Sequence, residues 1–106
     1  PMPRVSIEGT DIKIDVEEES VIFDSLHDQG IRLPHGGLSG SCGACRIEVF
    51  EGSSNLLPAG IVEQNTIDAI KAEYQATGGE EYLQNKVIRL SCRARVKGDV
   101  VIKPFK

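Results

Sequence analysis

The chain has 106 residues, 40% of them hydrophobic and 26% charged, with a formal net charge of −4, which is the profile of one small globular domain. No apolar run approaches the roughly 20 residues that a membrane span needs, and a net negative surface argues against nucleic acid as a partner. Three cysteines are an odd number, so a purely disulfide framework leaves one over.

The charge is unevenly placed. Residues 1–30 carry eight Asp/Glu against Arg4 and Lys13, whereas residues 31–106 carry eight against ten Lys/Arg. An acidic surface suits basic protein partners, although such charge is just as often plain solvated surface.

Arg4 to Glu8 alternates polar and apolar residues, and Asp11 to Val16 alternates again. That period predicts two half-buried strands, joined at Gly9-Thr10 by a two-residue hairpin turn. Glu17 to Glu19 are acidic, and Ser20 is placed to cap a helix starting at Val21. Val21, Ile22, Phe23 and Leu26 supply its apolar face, and Gly30 its C-terminal stop. His27 lies on this helix and is given no role.

From His35 to Cys45 there is neither helical nor strand period, only glycines, serines and two cysteines around Leu38 and Ala44. Arg46 to Phe50 then reads as a strand closed by Gly52. A loop over residues 53–60 leads to a helix capped by Asn65, with Ile67, Ile70 and Tyr74 on one face and Gly78-Gly79 at its end. Glu80 to Gln84 predicts a short helical turn and Lys86 to Leu90 a short strand. The alternation from Arg93 to Val96, the Lys97-Gly98 turn and the run from Asp99 to Lys103 predict a closing hairpin. Arg89, Arg93 and Arg95 read as exposed strand faces. The order of hairpin, helix, loop, strand, helix, strand and hairpin implies an α+β fold of one domain over residues 1–106. Its mixed sheet has helices packed on it, the order of a β-grasp.

The chemistry is concentrated in two stretches. One is Leu33-Pro34-His35-Gly36-Gly37-Leu38-Ser39-Gly40-Ser41-Cys42-Gly43-Ala44-Cys45, and the other is Arg89-Leu90-Ser91-Cys92. On spacing alone, Cys42 and Cys45 fit a redox dithiol or, with Cys92 and His35, a zinc site. A strand rather than a helix follows the pair, and no second close pair of ligands exists, so both are minor readings. Two cysteines this close in a glycine-rich loop point to a metal or redox role in a reducing, cytoplasmic setting.

Taken together, these stretches resemble the plant-type [2Fe–2S] ferredoxin family, whose ligands are spaced C-x₄-C-x₂-C followed by a distant fourth cysteine. The resemblance runs through most of the chain. It implies a [2Fe–2S] cluster held by Cys42, Cys45 and Cys92, with Cys45 and Cys92 on the inner iron and Cys42 on the outer one. Gly36, Gly40 and Gly43 would let the backbone approach the cluster closely.

The family's first cysteine falls on Gly37, which has no side chain to offer. Ser39, Ser41, His35 or water could complete the outer iron, as harder and poorer ligands than thiolate. Alternatively the cluster is not held, or the glycine is an introduced substitution. The resemblance implies a one-electron carrier, not an enzyme, working between a flavin-containing NAD(P)H-linked ferredoxin reductase and a redox acceptor protein. Its cluster binding would be impaired or altered by Gly37. A monomer is the default expectation, and Glu73, Glu80 and Glu81 are candidates for steering the reductase. The alternative is a cluster-free β-grasp module that binds a partner protein; a detached domain of a larger reductase is a further possibility.

Overall fold

A computed structural model describes residues 2–33, 44–83 and 85–105, with Glu80 and Tyr82 described in backbone only. The opening hairpin pairs β1 (Arg4–Ile7) with β2 (Lys13–Asp15), Val5 standing opposite Ile14. Its turn is wider than two residues. The Ile7 N–H donates to the Ile12 carbonyl at 3.0 Å, and the Thr10 hydroxyl donates to the Ile7 carbonyl at 2.8 Å. Thr10 thus satisfies the turn locally, which its place in the sequence pattern did not reveal.

Helix α1 (Ile22–Asp28) buries Ile22, Phe23 and Leu26. Ser20 is not its cap. Its hydroxyl donates to the Glu17 carbonyl at 2.6 Å, and Val21, which precedes the helix, is held extended by a bridge to Arg95. Gly30 does end the helix. At φ +80° it closes a Schellman motif, in which its own N–H reaches the His27 carbonyl at 2.9 Å and the Ile31 N–H reaches that of Leu26 at 2.8 Å.

Strand β3 (Arg46–Glu51) buries Ile47 and Val49 and runs on to a short 3₁₀ turn at Ser53–Asn55. Helix α2 (Ile61–Ala76) begins four residues before the expected Asn65 cap, with Gly60 at the capping position. The reason lies outside the helix: Glu63, in its first turn, is anchored to Arg89 on another element. The expected Ile67, Ile70 and Tyr74 face is present, the two isoleucines buried and Tyr74 half-buried. A second Schellman motif at Gly78-Gly79 ends α2, and α3 (Glu80–Leu83) follows.

Strands β4 (Val87–Leu90) and β5 (Val100–Pro104) complete a five-stranded mixed sheet in the order β2-β1-β5-β3-β4. The first and last strands in sequence, β1 and β5, lie side by side and parallel, with Val5 opposite Val100. The expected closing hairpin does not form. After Leu90 the chain turns, and Arg95 and Val96 make isolated bridges to Val21 and Leu56, while β5 pairs with β1 and β3. Ala94 and Val96 are fully buried, so the alternation expected of a strand instead reflects a covered extended segment. The main core lies between the sheet and α1, and includes Val5, Ile22, Leu26, Ile47, Val100 and Ile102. Each such side chain contributes about 1.5–3 kcal/mol on burial. This architecture is the expected α+β, β-grasp arrangement.

Candidate metal centre

A smaller apolar core forms where α2 crosses the sheet, built of Cys45, Ile70 and Leu90 with Tyr74 and Cys92 against it. Cys45 sits immediately before β3 and is 1% exposed. Cys92 arrives 47 residues later, in the turn that follows β4, and its sulfur lies 2.9 Å from that of Cys45. The pair therefore converges from two elements distant in sequence and adjacent in the sheet.

Four sets of bonds hold it there. Strands β3 and β4 are antiparallel, and Arg46 stands opposite Leu90, which brings the residues flanking them level. Ser91, fully buried, donates its N–H at 3.0 Å and its hydroxyl at 2.9 Å to the Cys45 carbonyl. The turn itself is closed by the Arg93 and Ala94 N–H groups on the Leu90 carbonyl, at 3.0 and 2.8 Å. The Ser91 carbonyl in turn accepts from the Phe23 N–H at 2.9 Å, which ties α1 to the same turn.

Behind the pair lies a buried ion pair. Arg89 donates from Nε to Glu63 Oε2 at 2.6 Å and from a terminal nitrogen to Oε1 at 3.0 Å, and that nitrogen also reaches the Leu57 carbonyl at 3.0 Å. Glu63 Oε2 accepts a further bond from the Leu90 N–H at 3.0 Å. Glu63 is 2% exposed. Its charge is met by the guanidinium, by a backbone donor and by the N-terminal end of α2, where negative charge is favoured. The expectation that Arg89 marks an exposed face is thus corrected: the side chain turns under α2 because a buried carboxylate awaits it.

The two thiols differ in environment. Cys45 is sealed, whereas a groove lined by Val21, Leu57, Pro58, Ile61, Arg93 and Arg95 opens beside Cys92. Burial first, then the hydrogen bond with Cys45 and that residue's charge, push the Cys92 thiol up from 9.0 to about 12. A bound metal reverses this preference, since it takes the thiolate outright. Two thiolates on one tetrahedral metal at about 2.3 Å stand roughly 3.7 Å apart, so the pair needs to open by less than about 1 Å to share an iron. Its donor chemistry, soft thiolate over an apolar floor, fits an iron–sulfur centre.

His35, Gly36, Gly37, Ser39, Gly40, Ser41, Cys42 and Gly43 lie outside the described residues. Among the described residues no group of three or more His, Cys, Asp or Glu side chains is placed to hold a metal, and no helix is long and apolar enough to cross a membrane. Glu73 and Glu81 are exposed, on α2 and α3 respectively. Two contributors to the site were not anticipated from sequence: Ser91, quoted only as part of a motif, and Glu63, whose partner is 26 residues away.

A β-grasp sheet brings two cysteine sulfurs together from the start of one strand and the end of its neighbour, an arrangement that suits the thiolate ligands of an iron–sulfur domain. The chain belongs to the family of 2Fe-2S iron-sulfur cluster binding domains, whose model matches residues 5–97. It is 31% identical over 104 residues to the 2Fe-2S ferredoxin-5 of Aquifex aeolicus, covering 95% of this chain and 97% of that one. A 49-residue stretch, 46% of this chain, is 43% identical to the reductase component of propane 2-monooxygenase from Rhodococcus jostii, of which it covers 13%. In structure the chain is similar to the ISC-like [2Fe–2S] ferredoxin of Pseudomonas putida, with a TM-score of 0.72 and 21% identity over 99% of this chain and 94% of that one. The family binds a [2Fe–2S] cluster, and its ferredoxins are electron carriers rather than enzymes.

Proposed function

We propose that this chain is a one-electron carrier that accepts an electron from an NAD(P)H-linked, flavin-containing reductase and delivers it to an acceptor enzyme. The observation that carries the reading is the 2.9 Å approach of the Cys45 and Cys92 sulfurs. In this reading Cys45 and Cys92 hold the inner iron, and Cys42 holds the outer one. Gly37 stands where the family's first cysteine falls, so the outer iron is completed by Ser39, Ser41, His35 or water, and cluster binding is weakened or altered. The likeness to a monooxygenase reductase component supports a reductase as partner, with Glu73, Glu80 and Glu81 offered for docking. The chain works in the cytoplasm and as a single unit, the second of which the one continuous sheet of its named strands supports.

The test is reconstitution with iron and sulfide under anaerobic conditions, for the chain as it stands and for Gly37→Cys. The expected result is visible charge-transfer bands with two irons and two acid-labile sulfides in Gly37→Cys, and a lower or less stable yield with Gly37. Failure of Gly37→Cys to take up a cluster would leave the alternative, a cluster-free β-grasp module that binds a partner protein.

A further inference from the structure

Glu63 is 2% exposed, and its carboxylate bonds to Arg89 and to the Leu90 N–H bear on the segment that delivers Cys92. Its Oε2 accepts from the Leu90 N–H at 3.0 Å, two residues before that cysteine. Both its oxygens accept from Arg89, one residue earlier still, and Arg89 in turn clamps the Leu57 carbonyl on the approach to α2 at 3.0 Å. Leu90 itself packs against Cys45 in the smaller core. The far end of β4 is thus fastened to two elements: to β3 by the ladder and Ser91, and to the first turn of α2 by one carboxylate.

A buried ion pair is a poor source of net stability, because desolvation offsets most of its attraction. Its directional bonds nonetheless impose one geometry on the groups that share it, and here those groups are Leu90, Arg89 and the start of α2. Among the described residues β4 is an edge strand, paired with β3. On its other edge, the Leu90 N–H is held by Glu63 in place of a strand partner. Without that anchor, the α2 side of the Cys92 turn is unfastened, and the turn is held over Cys45 by Ser91, the β3 ladder and the Phe23 N–H.

We propose that Glu63 is a positioning residue for the sulfur pair, holding Cys92 over Cys45 through its bonds to the Leu90 N–H and to Arg89. The inference rests on the reading of Cys45 and Cys92 as one ligand pair, and its test separates the two.

The juxtaposition can be read without iron, as the effective molarity of the two thiols in equilibrium with glutathione. Cys92, reached by the groove, attacks oxidised glutathione and releases one glutathione thiol. The Cys45 sulfur then attacks the mixed disulfide and releases the second. One S–S bond is broken and one formed, and the two electrons and two protons lost by the protein thiols leave on glutathione. The full-length chain carrying Cys42→Ser confines the exchange to this pair. Its effective molarity in native buffer is expected to exceed that in urea by about a hundredfold or more. Equal values in the two conditions would sink the ligand-pair reading itself.

On that background, Glu63→Asp shortens the carboxylate so that it no longer spans Arg89 and the Leu90 N–H together. Glu63→Leu with Arg89→Leu replaces the ion pair by apolar groups, a change that other buried pairs tolerate. Each is expected to lower the native effective molarity about tenfold, whatever its effect on melting temperature. A cooperatively folded variant of either kind that retains the unsubstituted value overturns the positioning role while leaving the pair intact. Glu63→Asp decides the matter if the double variant does not fold.

Discussion

The buried Ser91 hydroxyl and N–H both end on the carbonyl oxygen of Cys45, at 2.9 and 3.0 Å, so the residue beside one cysteine clasps the backbone of the other. The N–H bond continues the sheet ladder by one step. The hydroxyl bond is additional and depends on the side chain alone. Replacing Ser91 by Ala should therefore cost about 1–2 kcal/mol in urea unfolding. The small size of alanine keeps the loss from growing into a packing defect. An unchanged midpoint would mean that the hydroxyl adds nothing to the N–H.

Arg89 and Glu63 should show the asymmetry of a buried ion pair. Arg89→Met leaves a carboxylate that is 2% exposed with the Leu90 N–H and the end of α2 but no counter-charge, and should cost about 3–5 kcal/mol. The paired Glu63→Leu and Arg89→Leu exchange should cost clearly less, because no charge is left stranded. Chemical denaturation of the two variants side by side checks this. A single variant no worse than the pair would show that the carboxylate is not desolvated as its exposure implies.

Gly52 and Gly30 both sit at positive φ, +81° and +80°, yet they should respond differently to alanine. A Cβ at Gly52 would stand 2.1 Å from the Asp99 carbonyl oxygen, against backbone that is itself held by the Asn55 side chain at 2.8 Å. At Gly30 nothing lies within 4 Å. Gly30→Ala should cost about 1–2 kcal/mol, the left-handed penalty alone. Gly52→Ala should cost substantially more and displace the Lys97–Val100 turn. Thermal melts with two-dimensional NMR of the turn amides distinguish the two cases.

The apo protein should lose stability in alkali through Cys92. Its thiol titrates near 9.0 when unfolded and is raised to about 12 when folded. Below the lower value the thiol is neutral in both states and stability is flat. Between the two values the unfolded chain sheds a proton that the folded chain keeps, so stability falls as pH rises toward 12. Urea titrations at stepped pH under reducing conditions should show the fall, and Cys92→Ser should flatten it. A slope that survives this substitution would place the titration elsewhere.

Reversing Glu73 and Glu81 to lysine should slow association with a flavin-containing reductase at low salt, with the difference fading as ionic strength rises. Both side chains are exposed, so stability should change little. Stopped-flow reduction kinetics give the rate, and an unchanged low-salt rate argues that docking uses another face.

Period and punctuation made much of this fold legible. Val5 and Ile7 alternate because one face of β1 is covered, and Gly30 and Gly78 close two helices because only glycine enters the left-handed region without strain. Errors arose where a distant partner overrode a local signal. Ser20 has the chemistry of a helix cap, but Val21 is held extended by Arg95. Asn65 also has cap chemistry, but the cap of α2 falls five residues earlier, at Gly60, with Glu63 anchored in the first turn. Residues 93–96 alternate like a strand, but they lie between Val21 and Leu56 rather than beside β5.

What the residues determined by themselves was the donor chemistry: three thiols, two of them close together in a glycine-rich stretch, and a strand-rich chain able to carry them. Only the folded sheet decided that Cys45 and Cys92 meet, because β3 and β4 must pair antiparallel before their ends come level. Only burial decided that Glu63 and Arg89 belong to the site. A carboxylate taken out of water must find its counter-charge, and no pattern along the chain records where that counter-charge comes from.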